Sequence, residues 1–343
     1  MRIEALAQAN QRMQGAARRE WYRQHSPQHL RAIAALIGDA LGQLGAPTAQ
    51  QSRSAGKRPA AAPPPLRCVI LGAGACTELP LERLARACAT TLLVDLDAPG
   101  MLLARDELSP ALRPRVATLV ADLTGSISAE LAAELHAQPW DDLNRLDGGS
   151  GLATLDAVAA CLDRVAVPTP PILAGLDEAD DAPFDLVISA LTLTQLFSLP
   201  LLDALDTLLL RAPRVADQRE ERASYRTAAH SFRHRVTQAH LALLHRLLAP
   251  TGVALLLTDR VGYLTPPTAG PHANEGRESL PTLPADVLDI PSGLGEWFTV
   301  VGDSRNWEWI VSLPDAMRPG RSYGAVGTLL RRSPHTARAE AGD

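Results

Sequence analysis

Lysine is almost absent from this 343-residue chain. Lys57 is the single lysine, and the other 32 of the 33 Lys and Arg residues are arginines. A Schiff-base lysine, or a lysine that cradles a phosphate, would have to be Lys57. Lys57 lies in a Pro/Ala-rich stretch that offers no fixed surroundings for catalysis. Both kinds of lysine chemistry are therefore disfavoured. The excess of arginine, with abundant Ala and Leu, is typical of a bacterial genome rich in G and C.

Cysteine and aromatic residues are also scarce. The four cysteines, Cys68, Cys76, Cys88 and Cys161, form no CxxC pair, so the sequence predicts neither a disulfide framework nor a zinc site. His230 and His234 have a spacing that suits a metal on a helix, but a solvated or packed helix face explains them better. We predict no metal. Aromatic residues make up only 4% of the chain, so each Trp and Tyr can be followed individually.

Long apolar runs are missing from the start of the chain, where residues 1–20 are polar and helical in pattern rather than typical of a signal peptide. We also expect no stretch of transmembrane length elsewhere, and hence a cytoplasmic protein without a membrane partner. The net charge of −5 and the pI near 6.0 argue against general nucleic-acid binding.

The composition divides the chain into zones. Ser26 suits a helix N-cap and Pro27 the first helical position, which predicts two helices before residue 45. The predicted zones are an N-terminal helical cap (1–45), a Pro/Ala-rich linker (46–65), a main domain (66–332) with helical insertions at about 126–183 and 199–249, and a disordered tail (333–343).

The main domain alternates short apolar runs with helical patterns, which is typical of a parallel sheet covered on both faces. Strands are predicted at "RCVILGAG", "TTLLVDLD", "RVATLVADLTG", "FDLVISALTLTQL", which runs into a loop, and "GVALLLTD". Two further strands, in "WFTVVGDSRNWEWIVSLP" and "RSYGAVGTLLRR", are separated by a Pro/Gly turn. The predicted fold is an α/β three-layer sandwich with a mostly parallel seven-stranded sheet that ends in an antiparallel hairpin.

A glycine turn, Gly72-Ala73-Gly74, follows the first predicted strand and precedes a helix. Such a turn lets the backbone approach a ligand closely. A dinucleotide fingerprint would have a third glycine where this chain has Thr77, and the phosphate loop GxxxxGK[ST] is absent. The turn alone therefore does not identify its ligand.

Two acids end the next two predicted strands. Asp95 could accept both hydroxyls of a ribose, a feature that nicotinamide enzymes share with enzymes that use S-adenosylmethionine. Asp122 could receive the amine of an adenine lying over the edge of the sheet. This second acid is less expected in a dinucleotide enzyme. Each acid has a plainer interpretation as well: Asp95 as a solvated strand end, and Asp122 as a helix N-cap.

At this point the chain resembles the class I S-adenosylmethionine-dependent methyltransferases over roughly residues 66–331. The motifs that carry the resemblance are "LGAG" (71–74), "VDLD" (94–97), "ADL" (121–123), "FDLVIS" (184–189) and the reversed final hairpin. The resemblance implies cofactor-binding roles for Gly72, Ala73, Gly74, Glu78, Asp95, Leu96, Asp122, Leu123 and Ser189. In it, the glycines face the methionine portion, Asp95 holds the ribose, Leu96 packs on the adenine and Ser189 lines the floor of the site.

The chain departs from that family at two positions of the first motif. Ile70 stands where an acid is usual, and Cys76 stands where a third glycine is common. Glu78 is a candidate replacement for the missing acid.

Three residues are candidates for catalysis or for substrate positioning. Tyr22 and His25 lie before the core, where helices cap the cofactor in many relatives, and Gln195 follows the fourth strand. Packing explains Tyr22 and His25 equally simply, and backbone pairing would explain Gln195.

The leading hypothesis is methyl transfer from S-adenosylmethionine to a small molecule or peptide, by a protein that could form a homodimer. A non-catalytic binding or scaffold protein with the same fold is the main alternative. A nicotinamide-dependent oxidoreductase and an RNA methyltransferase are less favoured.

Overall fold

The computed structural model describes residues 16–45, 65–146, 148, 150–176, 183–216, 219, 221–266, 278–281, 294–295, 297–315 and 317–333. These residues form two compact units. The first takes its residues from 1–121, 174–192 and 244–343, and the second from 122–173 and 193–243. The domain boundaries predicted from the sequence stay predictions.

In its described residues, the first unit contains a sheet and four α-helices. Its strands are β1 (Arg67–Leu71), β2 (Thr90–Asp95), β3 (Val116–Val120), β4 (Phe184–Ala190), β5 (Leu248–Thr265), β6 (Glu278–Pro281), β7 (Phe298–Val300), β8 (Arg305–Ser312) and β9 (Gly320–Arg332). Its helices are α1 (Ala16–His25), α2 (Pro27–Gly45), α3 (Leu81–Ala87) and α4 (Ala98–Asp106), with a 3₁₀ turn at Arg113–Arg115.

The strand order is β3-β2-β1-β4-β5-β9-β7, with β6 on β5 and β8 on β9. The first five strands run parallel, and β9 pairs antiparallel with β5, β7 and β8. The predicted α/β fold with a mostly parallel sheet that ends in antiparallel strands is confirmed. The strand predicted before the last turn is interrupted: β7 and β8 pair with β9 one after the other and in the same direction, and Gly302 lies between them with a φ of +70°.

The parallel strands are apolar along most of their length because they are covered on both faces. In β1, all four residues from Cys68 to Leu71 are buried. The large apolar cluster of this unit includes Ile70, whose side chain is fully covered. Ile70 therefore stands in the core, where a carboxylate would carry a large desolvation cost.

Helix α2 packs on the antiparallel part of the sheet. It contacts β5, β8 and β9, and its buried face is formed by His29, Ile33, Leu36, Ile37 and Ala40. These positions recur at helical spacing, as expected for a helix with one apolar face. Pro27 is the first residue of α2, as predicted, and the hydroxyl of Ser26 accepts a hydrogen bond from the backbone N–H of Ile310 in β8 (3.1 Å).

An aromatic cluster joins α2 to β8. Trp307 Nε1 donates a hydrogen bond to Nδ1 of His29 (2.8 Å), and Trp309 stacks on the same imidazole with ring centroids 5.1 Å apart. Both tryptophans are buried, and their alternate positions on β8 place them on the same face, in packing against α2.

The second unit is helical in its described residues. Its helices are α5 (Ile127–His136), α6 (Trp140–Leu146), α7 (Leu152–Arg164), α8 (Leu193–Arg211), α9 (Pro213–Ala216) and α10 (Ala223–Leu247), of which the last turn of α10 belongs to the first unit. Helix α7 lies within the insertion at about 126–183 that was predicted to be helical. Arg235 of α10 donates hydrogen bonds to the carbonyl oxygens of Val165 and Leu162 at the end of α7.

Helix α8 corrects two expectations. A loop was predicted after the fourth strand, but α8 begins at Leu193, and it continues through Pro200 instead of ending before it. At 19 residues it is also long and apolar enough to cross a membrane by length and composition alone, so the expectation that no stretch reaches that length is wrong. Buried core helices share these properties, and 44% of the apolar window of α8 is buried.

Candidate cofactor-binding site

The chain bends sharply where β1 ends. Gly72 and Gly74 have φ angles of +73° and +45°, and Cys76 has a φ of +48°. The left-handed region is open to glycine and costly for other residues. Cys76 thus adopts a glycine-like backbone at the position where the methyltransferase family commonly has glycine. We call residues 72–78 the glycine bend.

The bend is attached to the neighbouring strand β2 through the backbone. The N–H groups of Gly72 and Ala73 both donate to the carbonyl oxygen of Val94 (2.9 and 3.2 Å). The next N–H, of Gly74, donates to Oδ2 of Asp95 (2.8 Å). The structure therefore brings together the glycines and the first of the two predicted acids.

Asp95 is a half-buried carboxylate at the end of β2. Its Oδ1 accepts a hydrogen bond from the N–H of Asp97 (2.9 Å), so each carboxylate oxygen accepts one backbone N–H. Burial raises the pKa of Asp95, and these backbone hydrogen bonds act against that rise. A carboxylate oxygen has two lone pairs, so each can still accept a hydroxyl from a ligand. The simple interpretation of Asp95 as a solvated strand end does not fit these contacts.

Asp97 begins helix α4. It is the N-cap residue, and its Oδ1 accepts a hydrogen bond from the N–H of Gly100 (3.0 Å). A Cβ added to Gly100 would lie 2.2 Å from Asp97 Oδ2 and 3.1 Å from the backbone N of Ala75. The first turn of α4 therefore lies directly against the glycine bend.

Two apolar side chains are exposed beside Asp95. Leu96 is 47% exposed and Val120, at the end of the edge strand β3, is 56% exposed. Asp95 pairs in register with Val120, which places both side chains at the same edge of the sheet. Exposed apolar groups next to a carboxylate suit a flat aromatic ligand that also carries hydroxyl groups.

The end of β4 packs under the glycine bend. A Cβ on Gly72 would lie 2.6 Å from Cβ of Thr192, so only glycine fits there with this neighbour. Leu191 has a φ of +55°, which is unusual for a bulky residue, and its N–H donates to the carbonyl oxygen of Leu257 in β5 (3.0 Å). Ser189 is fully buried within β4 and pairs in register with Leu71.

Helix α1 contacts the other side of the bend. Arg19 Nη2 donates to the carbonyl oxygen of Ala75 (3.1 Å), and Arg18 Nη2 lies 3.9 Å from Oε1 of Glu78. Glu78 also accepts a hydrogen bond from Thr77 Oγ1 (3.0 Å). The predicted site residue Glu78 is thus held by the bend and by α1.

Tyr22 and His25 lie on α1. Arg18 donates to the Tyr22 hydroxyl (3.0 Å from Nη2), the side chain is 1% exposed, and burial raises the pKa of Tyr22 well above its usual value. His25 stacks on Trp21 with ring centroids 4.7 Å apart, and its Nδ1 lies 2.9 Å from the Trp21 carbonyl oxygen. A covered, protonated phenol is a poor base, so these surroundings favour a positioning role for Tyr22.

The remaining predicted residues belong to the second unit. Asp122 Oδ1 accepts hydrogen bonds from the N–H (2.8 Å) and hydroxyl (2.7 Å) of Thr124, whereas helix α5 begins only at Ile127. Asp122 therefore closes a turn and is not the N-cap of that helix. Leu123 is buried, and Gln195 is exposed in the first turn of α8. Their roles toward a cofactor stay predictions.

Sequence reasoning missed Arg18, Arg19, Asp97 and Val120. Asp97 belongs to the motif "VDLD" and Val120 directly precedes the motif "ADL", so the strand ends already gave a signal for both. The arginines are separated from the bend by more than fifty residues, and their contacts follow from tertiary packing.

A separate cavity of about 110 Å³ lies in the first unit, lined by Leu256, Thr258, Arg260, Leu294, Ser304, Asn306, Val326 and Thr328. Ligand pockets are commonly about 300–1,000 Å³. This cavity is too small to hold a nucleoside-sized ligand by itself.

No family model matches the chain, and no curated protein matches it. Solved structures do match. An arsenic(III) S-adenosylmethionine methyltransferase from Chlamydomonas reinhardtii is 14% identical, with 87% of this chain and 74% of that chain covered and a TM-score of 0.31. The O-methyltransferase TomG from Streptomyces achromogenes, in complex with S-adenosylmethionine, is 11% identical, with 90% and 80% covered and a TM-score of 0.28.

A complex that contains the Haloferax volcanii Trm112 methyltransferase activator matches at 10% identity, with 97% of this chain and 96% of that chain covered and a TM-score of 0.37. With TM-scores below 0.5, these matches carry no weight in assigning an activity. The strand order, with five parallel strands followed by reversed strands, agrees with the fold that the methyltransferase resemblance implies. No subfamily is defined.

Proposed function

We propose that the chain binds S-adenosylmethionine at the glycine bend and transfers its methyl group to a small-molecule or peptide acceptor. The observation that carries the proposal is the hydrogen bond between the Gly74 N–H and the Asp95 carboxylate (2.8 Å). It joins the bend after β1 to the acid at the end of β2, at the edge where open parallel sheets bind ligands.

The residues present fit this cofactor. Asp95 keeps acceptor capacity for the two ribose hydroxyls, and Gly72 and Gly74 have no Cβ between their backbone and a ligand. Leu96 and Val120 offer an exposed apolar surface for the adenine. Asp122 is proposed to receive the adenine amine, and Ala73, Glu78, Leu123 and Ser189 to complete the surroundings of the cofactor.

The cofactor supplies a carbon that its sulfonium already activates. The contribution of this chain is therefore to orient the reactants and exclude water. A general base is required only when the acceptor arrives protonated. Tyr22, His25 and Gln195 remain proposed as positioning residues. The net charge of −5 supports a non-nucleic-acid acceptor.

Isothermal titration with S-adenosylmethionine and S-adenosylhomocysteine tests the proposal. We expect wild-type binding, and a loss of at least about tenfold in Asp95→Asn, which corresponds to about 1.4 kcal/mol. An Asn amide cannot accept hydrogen bonds through its nitrogen as the carboxylate does. Asp106→Asn is the matched control, since Asp106 is 59% exposed and pairs with Arg105. Absence of wild-type binding at millimolar ligand would refute the proposal.

A non-catalytic protein with this fold is the second candidate. It is favoured by the two backbone N–H groups that already satisfy Asp95, because such contacts can stabilise the bend without any ligand. Transfer of a labelled methyl group to any acceptor in a metabolite and peptide panel would dismiss it. NADH in the same titration distinguishes a nicotinamide enzyme.

A further inference from the structure

The glycine bend cannot hold its shape through local structure alone. Three of its residues, Gly72, Gly74 and Cys76, have positive φ angles, and they alternate with two alanines. Within the bend, the N–H of Cys76 donates to the carbonyl oxygen of Ala73 (2.9 Å), but no regular ladder forms, so its conformation also depends on contacts with other elements. The contacts of its two halves are different.

The first half of the bend is attached to the sheet. Gly72 and Ala73 donate to Val94, Gly74 donates to Asp95, and Thr192 packs under Gly72. The second half, residues 75–78, is contacted by helix α1. Arg19 donates to the Ala75 carbonyl oxygen, and Arg18 faces Glu78 across 3.9 Å.

Arg19 has a second partner. Its Nη1 forms an ion pair with Oε2 of Glu107, which is the C-cap residue of α4. The N-cap of the same helix, Asp97, donates its N–H to Asp95. Both ends of α4 are therefore linked to the glycine bend: one end through Asp95, and the other through Arg19. The Arg19 guanidinium thus connects the C-terminal end of α4 to the bend, while the Asp95 carboxylate connects the N-terminal end of α4 to it.

We infer that Arg19 is a positioning residue for the cofactor. Arg19 acts on the cofactor through the Ala75 carbonyl and need not touch the cofactor itself. By fixing the second half of the bend, it keeps the Gly74 N–H directed at Asp95. The inference rests on the proposed function for the identity of the ligand, S-adenosylmethionine. Its structural part, that Arg19 orders the bend, is independent of any ligand.

Arginine suits this role better than lysine because its planar group directs several N–H donors at two acceptors together. The side chains of Arg19 and Glu107 are 25% and 32% exposed, so solvent screens their attraction. An ion pair of this exposure contributes little to overall stability. Arg19 is therefore expected to act on the local order of the bend more than on folding.

The test compares Arg19→Met, which keeps an unbranched apolar stem, with Arg23→Met on the same helix. Arg23 pairs with Glu20 one turn away and is 64% exposed. Hydrogen exchange of the amides of residues 73–77 is measured without ligand. We expect exchange at least about tenfold faster in Arg19→Met, unchanged exchange in Arg23→Met and similar unfolding temperatures. Equal exchange in both variants would overturn the inference.

Titration with S-adenosylhomocysteine adds the functional readout. We expect affinity about tenfold lower in Arg19→Met, partial recovery in Arg19→Lys, and a smaller loss of the same sign in Glu107→Gln. Faster exchange with unchanged affinity would show that Arg19 does not position the cofactor. Wild-type protein that binds no cofactor would refute the proposed function, while the exchange data would still decide whether Arg19 orders the bend.

Discussion

Helices α1 and α2 are neighbours in the chain, separated by Ser26, and they attach to the first unit in opposite ways. Helix α2 buries one apolar face, including Ile33 and Leu36, on the sheet. Helix α1 attaches through Tyr22 and through the charged groups of Arg18 and Arg19. Apolar burial contributes far more free energy than exposed ion pairs. Helix α1 also buries Tyr22 in the apolar cluster, so the comparison indicates that α2 contributes more to stability and that the arginines of α1 contact the glycine bend.

The strongest test of this difference between α1 and α2 is the variant Leu36→Ala. Leu36 is 1% exposed, and removing it from the core should lower the free energy of unfolding by about 2–5 kcal/mol. Gln28→Ala, on the exposed face of the same helix, should change it by less than about 0.5 kcal/mol. Chemical denaturation measures both, and equal effects would contradict the assignment of α2 as the stabilising helix.

The second test uses pH. Burial lowers the pKa of His29 to about 3, whereas an unfolded histidine titrates near about 6.5. The unfolded chain therefore binds more protons between these values, and stability falls as the pH drops below 6.5. Through His29, the free energy of unfolding falls by about 1.4 kcal/mol for each pH unit below 6.5, or by roughly 2 kcal/mol at pH 5.

The variant His29→Leu isolates this group. It should be less stable at neutral pH because Trp307 loses its acceptor, but its stability should decline less steeply from pH 6.5 to 4. The buried His240, with a pKa lowered to about 4, contributes to both proteins alike. An unchanged slope in urea titrations across this range would show that His29 is not held neutral.

A third, smaller effect is expected at Gly327 in β9. A Cβ there would lie 2.3 Å from Cδ1 of Leu36 and 3.1 Å from Trp307, so Gly327→Ala should destabilise by about 1–3 kcal/mol. Gly42→Ala is the control of opposite sign. Nothing lies within 4 Å of that Cβ, so replacing a helical glycine should stabilise by about 0.5–1 kcal/mol. Thermal unfolding of both variants checks the pair.

The smallest effect concerns the exposed ion pair on α1. Arg23→Ala should leave the free energy of unfolding within about 0.5 kcal/mol of wild type, since Arg23 and Glu20 are 64% and 52% exposed. A loss above 1 kcal/mol in the same denaturation experiment would mean that α1 also carries stability, and the contrast with α2 would weaken.

The sequence sufficed for the parallel strands because buried parallel strands leave near-continuous apolar runs, as in β1, β2 and β4. The predicted seven strands fell short of the nine that the described residues form in the sheet, since one strand was predicted where β7 and β8 form and none at β6. The predicted strand ends also located Asp95. The sequence did not reveal α8, since Pro200 is normally a sign that a helix ends, whereas here the helix continues through it. The contact between Arg19 and Ala75 spans 56 residues and depends on how α1 packs, which no local pattern encodes.

The close contact between Gly72 and Thr192 limits which substitutions the chain can accept at these two positions. Because a Cβ on Gly72 would lie within 2.6 Å of Thr192, the two positions are sterically interdependent. A larger residue at one becomes tolerable only when the other shrinks, and the φ of +73° restricts even that exchange. Among related sequences, these two sites should therefore covary, with substitution at position 192 preceding any change at position 72.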